Sequence, residues 1–164
     1  MAVAQASALQ DALKTKMDEL EAGLRGISDA DAARKPSADD WSVKELLSHL
    51  SGENDDFLRW VRQIAETDTP ELDLVPGQTH FSAQRASQPV AQLLADVRRQ
   101  YDRMGELVAG MSEEQLSRKA HVPLFKQTPL GEYPTLAQWT QGIIDYHLAD
   151  HVRSLPSMRE KLGV

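Results

Sequence analysis

The chain has 164 residues, 41% of them hydrophobic and 26% charged, with a formal net charge of −7. That length supports one hydrophobic core, and an acidic chain without a cationic cluster is a poor match for nucleic acid, whose affinity comes largely from cations that neutralise phosphates. Cysteine is absent, so disulfides, thiolate metal ligands and a cysteine nucleophile are excluded, and any thiol chemistry needs a thiol carried by a small molecule.

Apolar residues recur at helical spacing in four long segments. The first runs from about Ala4 to Leu24, with Leu9, Leu13, Met17, Leu20 and Leu24 on one stripe. The start MAVAQASALQDALKTK has no basic stretch followed by an apolar run, so no secretory signal is expected. Ser28 then opens a short capped turn that Pro36 stops. The second long helix begins at Trp41-Ser42, with Ser42 and Glu45 as a capping box, and continues through Leu46, Leu50, Phe57, Val61 and Ile64. Residues 67–88 hold Pro70, Pro76 and Gly77 and form a long connection, a feature that is often functional in compact domains.

The third helix opens near Pro89 and runs through Leu93, Val97, Tyr101 and Met104 to Gly110, with one short extra turn expected at Ser112–Gln115. HVPLFKQTPLGEYP follows, punctuated by Pro and Gly, with some strand character. The fourth helix is expected to start with Pro134 in its first turn and to kink or end at Pro156. No run approaches the ~18 apolar residues of a membrane span, and the expected location is cytoplasmic. Four amphipathic helices in one domain spanning residues 1–164 predict an all-α four-helix bundle, with long connections between helices 2 and 3 and between 3 and 4.

On a wheel of about 100° per residue, Leu136, Thr140, Ile143, Ile144, Leu155, Met158 and Leu162 define the inward face of the fourth helix. His147 and His151 fall near its middle, while Tyr146, Asp150 and Arg153 flank it or point away. Side chains at i and i+4 lie one above the other, so both imidazoles can reach a single ion. A lone histidine on an apolar face is usually a satisfied core residue. Two must each bury a polar ring, and a shared metal partners one nitrogen of each.

His49 on the flank of the second helix is the candidate third ligand, one turn from both Glu45 and Glu53. Glu45 is assigned to the cap. Glu53 is assigned to solvent or to a supporting position beside a ligand histidine, in preference to direct ligation. His80 and His121 lie in the irregular stretches and read as surface loop residues, and Trp41, Trp60 and Trp139 as core or interface aromatics. Three imidazoles leave metal positions open, the pattern of catalytic sites. Imidazole does not choose among Zn, Ni, Fe and Mn.

The run Trp41-Ser42-Val43-Lys44-Glu45 leading to His49, followed far downstream by His147 and His151 as HxxxH on the last helix, resembles the DinB-like superfamily. The resemblance covers nearly the whole chain. It implies a four-helix bundle with a divalent metal held by His49, His147 and His151 in a cleft near the bundle's end. It further implies a metal-dependent enzyme that activates a low-molecular-weight thiol (mycothiol, bacillithiol or glutathione) or water, as a thiol S-transferase or a hydrolase acting on a small-molecule substrate. Members of the family often form homodimers, which these residues neither support nor oppose. An anionic thiol would need cations, for which Arg59, Arg62, Arg85 and Lys126 are candidates, each read first as a surface cation. Two other function classes stay open. One is a non-catalytic bundle that binds or sequesters a metal or small molecule, and the other is a metal-free bundle with packed histidines.

Overall fold

In the computed structural model, which describes residues 3–164, the four amphipathic segments form helices around a common core. Helix α1 spans Ala4–Gly23 and buries Leu9, Leu13, Met17 and Leu20 on one stripe. The short α2, Asp29–Ala33, is capped by the Ser28 hydroxyl, which accepts from the Asp31 amide at 3.1 Å. Pro36 lies three residues beyond α2, which ends at Ala33.

The second long segment is not one helix. It divides into α3, Val43–Ser51, and α4, Asp56–Glu66. The Ser42–Glu45 capping box starts α3 as expected, each side chain bonding the other residue's amide. Gly52 ends α3 at φ 68°, and a Cβ there would lie 2.6 Å from Asp56 Oδ2, so glycine is required by both backbone and space. The break strands carbonyls at the end of α3 and amides at the start of α4. Buried Gln100 satisfies both sets: Nε2 donates to the Leu50 and Ser51 carbonyls, and Oε1 accepts from the Phe57 and Leu58 amides. Helical periodicity runs straight through the interruption, because the apolar stripe continues in phase and the partner lies 43 residues away.

The 67–88 connection contains α5, Ala83–Ser87. It is tied down by buried Lys44, whose Nζ donates to the Ala86 and Gln88 carbonyls at 3.0 and 2.7 Å, and by Arg85, which donates to the Ser48 and Gly52 carbonyls. Helix α6, Val90–Ala109, packs along α1 and against both α3 and α4. The extra turn α7 is Glu113–Leu116, capped by Ser112 and shifted one residue beyond the expected Ser112–Gln115.

The strand character around residue 121 amounts to two isolated bridges, Glu71 with His121 and Lys119 with Thr135. The His121 amide donates to the Pro70 carbonyl at 2.8 Å and the Val122 amide to the Glu132 carbonyl at 2.8 Å, so the two long connections are stitched together. A 3-10 turn, Pro123–Phe125, follows.

The fourth segment starts two residues later than expected, at Leu136 instead of Pro134. Thr135 is the cap of α8, Leu136–Gly142, and forms a capping box with Gln138 while Pro134 stays outside. Residues Ile143–Leu148 then widen into a π turn before α9, Ala149–Leu162. Pro156 does not end the helix. It faces solvent, and Leu155 and Leu162 on either side are buried in the core. The loss of one backbone donor on the exposed face is therefore outweighed by packing on the other.

Candidate metal centre

Helix α3 and the π–α9 segment bring three histidines together. One ring nitrogen from each of His49, His147 and His151 lies within 4.8 Å of the others. Ring centroids are 5.0 Å apart for His49–His147, 5.1 Å for His49–His151 and 4.8 Å for His147–His151. The rings are tilted steeply to one another, by 63°, 67° and 87°, so they surround a common point instead of stacking. The π turn contains His147 and ends just before α9, which carries His151. Such widened turns recur at functional sites.

The protonation of His49 follows from its neighbour. Its Nδ1 lies 2.6 Å from the Gln78 carbonyl, which can only accept, so Nδ1 carries the proton and Nε2 presents a lone pair. That Nε2 lies 2.9 Å from His147 Nε2. Two lone pairs at that distance repel unless a proton or a cation lies between them. Burial favours the neutral rings: desolvation takes His147 down to about 3 and His151 down to about 4, and lowers His49 as well, with the neighbouring imidazoles adding to the depression. Neutral imidazole is the form that binds metal. Three neutral nitrogens facing one point, one with its tautomer set by a backbone carbonyl, have the chemistry to hold a divalent ion.

Aromatic side chains hold the rings in place. Trp41 packs on His49 at 4.8 Å and lies parallel to His151 at 6.2 Å, and Phe57 stacks on His147 at 5.0 Å. His147 Nδ1 is buried without a partner among the described residues.

A cavity of about 600 Å³ opens on the cluster. Its walls come from α4, from residues 74–80 of one long connection, from residues 124–130 of the other, and from the α8–α9 segment. That volume is in the range of small-molecule sites.

The remaining candidates divide. Glu45 is at the cap. Glu53 is exposed and lines a separate recess with Phe81 and Arg85, outside the three-histidine cluster. His121 is stitched to Glu132 at 2.9 Å and stacks on Tyr133, a structural role. His80 departs from the surface reading, because it lines the cavity, 3.9 Å from Asp56. Trp60 and Trp139 are buried as expected yet also face the cavity. None of Arg59, Arg62, Arg85 and Lys126 lines it. Arg59 pairs with Asp56 and Asp73, Arg85 bonds backbone carbonyls, and Arg62 and Lys126 are exposed.

The Gln78 carbonyl and the Phe57 ring were missed from sequence because backbone acceptors and packing partners carry no spacing signal.

A family model described as the DinB superfamily matches residues 12–155. The chain is 24% identical over 152 residues to the uncharacterized protein YuaE of Bacillus subtilis, covering 85% of this chain and 90% of YuaE. Its fold is similar to that of YfiT from Bacillus subtilis, described as a probable metal-dependent hydrolase with an unusual four-helix bundle topology. The TM-score is 0.77 at 16% identity, over 99% of this chain and 90% of YfiT. At that identity the likeness concerns the fold alone.

Proposed function

Because this chain belongs to the DinB superfamily, we propose that it is a metal-dependent enzyme in which His49, His147 and His151 hold a divalent ion and water is activated for hydrolysis of a small molecule. One observation carries the reading: three neutral imidazoles from two helices converge at the wall of a cavity large enough for a substrate. Structural sites are closed by four protein ligands, whereas three ligands beside a cavity leave room for reactants.

When bound, a divalent ion supplies Lewis acidity and brings the pKa of water toward neutrality. The chain's own residues prepare for that. The Gln78 carbonyl holds the His49 proton on Nδ1 and leaves Nε2 to ligate. Phe57 and Trp41 pack against the histidine rings and hold their planes. Asp56, His80 and Asp150, all on the cavity wall, are groups that can accept or deliver a proton there.

The version that activates a low-molecular-weight thiol has weaker support. The thiols implied by the resemblance are anionic, and the four cations considered for them lie outside the cavity wall.

The test is metal content and activity together. Purified protein, reconstituted with Zn, Ni, Fe or Mn, is expected to hold about one ion per chain. His49→Ala and His147→Ala should both lose it. Ester or amide hydrolysis should be abolished by chelation and restored by the ion. Failure to bind any of the four metals stoichiometrically would sink the proposal. Binding without chelator-sensitive turnover would leave a sequestering bundle in its place.

A further inference from the structure

The wall of the cavity is a chain of aromatic rings. Phe125 stacks on Trp139 at 5.6 Å, Trp139 meets Trp60 edge to face at 5.9 Å, and Trp60 meets Phe57 at 5.2 Å. Phe57 in turn stacks on His147. The rings run without interruption from the 3-10 turn to the histidine cluster.

Charge is as informative as shape. No lysine or arginine is among the described residues that line the cavity. Its two carboxylates are already matched, Asp56 by Arg59 at 3.0 Å and Asp150 by Arg153 at 2.6 Å. The mouth is apolar as well. Val75, Leu124 and Tyr146 line it while 60%, 50% and 54% exposed, large apolar side chains held in water at the entrance to a concave site. An anion entering here gives up hydration with no lysine or arginine to replace it. A flat apolar ring instead gains burial and ring–ring contact along the whole wall.

We propose that the cavity takes an uncharged aromatic small molecule, its ring against Phe125, Trp139 and Trp60 and its polar end toward the histidines. What happens at the polar end rests on the metal-dependent reading above, but the selection of a neutral ring does not need the ion. A concave site continuous with the histidine cluster, and of small-molecule volume, favours this occupant over a second copy of the chain.

Naphthaleneacetamide and naphthaleneacetate differ in charge and hardly in shape. Each, together with glutathione, is titrated into the chelator-treated full chain and followed by tryptophan fluorescence and calorimetry. The amide is expected to bind about tenfold tighter than the carboxylate, because the carboxylate must be desolvated without a partner. Glutathione should be weakest. Phe125→Ala should weaken the amide roughly fivefold, the loss of one ring contact. Thr128→Lys puts a cation on the exposed rim. It should tighten the carboxylate roughly fivefold and leave the amide unchanged.

Any of several results overturns the proposal: no saturable binding of the amide, equal affinity for the two naphthalenes, tighter binding of glutathione, or indifference to Phe125→Ala. Amide affinity that falls as protein concentration rises would overturn it too, by putting a second copy over the mouth. Because the protein is stripped of metal throughout, these outcomes are separate from the metal-content test.

Discussion

Gln100→Leu probes the device that breaks the second long helix. The glutamine is fully buried and spans the gap with four hydrogen bonds: 3.0 Å to the Leu50 carbonyl, 3.1 Å to Ser51, 3.0 Å from the Phe57 amide and 3.4 Å from Leu58. Leucine keeps most of the bulk and removes every polar atom. Each buried backbone group left without a partner costs about 1–3 kcal/mol. The 3.4 Å contact counts for little, and local relaxation recovers part of the rest, so the expected loss is about 3–5 kcal/mol. Against a total stability of roughly 5–15 kcal/mol that is a large fraction, and it corresponds to a melting temperature lower by roughly 10 °C for a chain of this size.

Urea unfolding followed by far-UV circular dichroism measures it, with Gln100→Glu as comparator. That variant keeps an acceptor for Phe57 but turns a carboxylate toward two carbonyls, so it should also destabilise. A loss below about 1 kcal/mol in Gln100→Leu would refute the reasoning, because the groups at the break would then have other partners. Zinc affinity should fall in the same variants, since α4 carries Phe57 against His147.

Two further outcomes are expected. The metal-free protein should lose stability in mild acid. His147 and His151 have folded-state values of about 3 and about 4, below the ordinary 6.5, so their contribution is complete above pH 6.5 and is lost as pH falls toward 4. The slope there is at most about 1.4 kcal/mol per pH unit for each group, and a flat profile between pH 6.5 and 4.5 in equilibrium unfolding would contradict it. Lys44→Met should free the carbonyls of Ala86 and Gln88 at a cost of about 1–3 kcal/mol. Hydrogen exchange should rise across 83–88 and not in α6, whereas unchanged exchange would show that Arg85 alone holds the segment.

Much of the architecture is written locally. The stripes of α1 and α6, the Ser42–Glu45 box and the short turn after Ser112 depend on residues within a few positions of one another, and each forms where the periodicity and the caps indicate. The i, i+4 spacing of His147 and His151 is likewise a local fact, and so is the placement of His49 on a helix flank. The features that local reasoning misplaced are those decided by distant partners. The local pattern has Pro156 kink or end the last helix, but the helix runs on to Leu162: Leu155 and Leu162 are anchored in the core, and packing overrides one missing donor. His80 looks like a loop residue until the 74–80 segment folds against α4 and turns it toward the cavity.

By itself, then, the sequence determined the helical class, the helix stripes and which three histidines could meet, because hydrophobic period and capping chemistry act over one or two turns. The tertiary structure alone decided the break held by Gln100, the tautomer of His49 set by the Gln78 carbonyl, and the aromatic wall free of lysine and arginine that ends at His147. The Gln78 and Gln100 contacts join groups 29 and 43 residues apart, and the wall is closed by pairs still farther apart in sequence, Trp60–Trp139 and Phe57–His147. Contacts at such separation depend on how the whole chain closes on itself, and no local pattern encodes them.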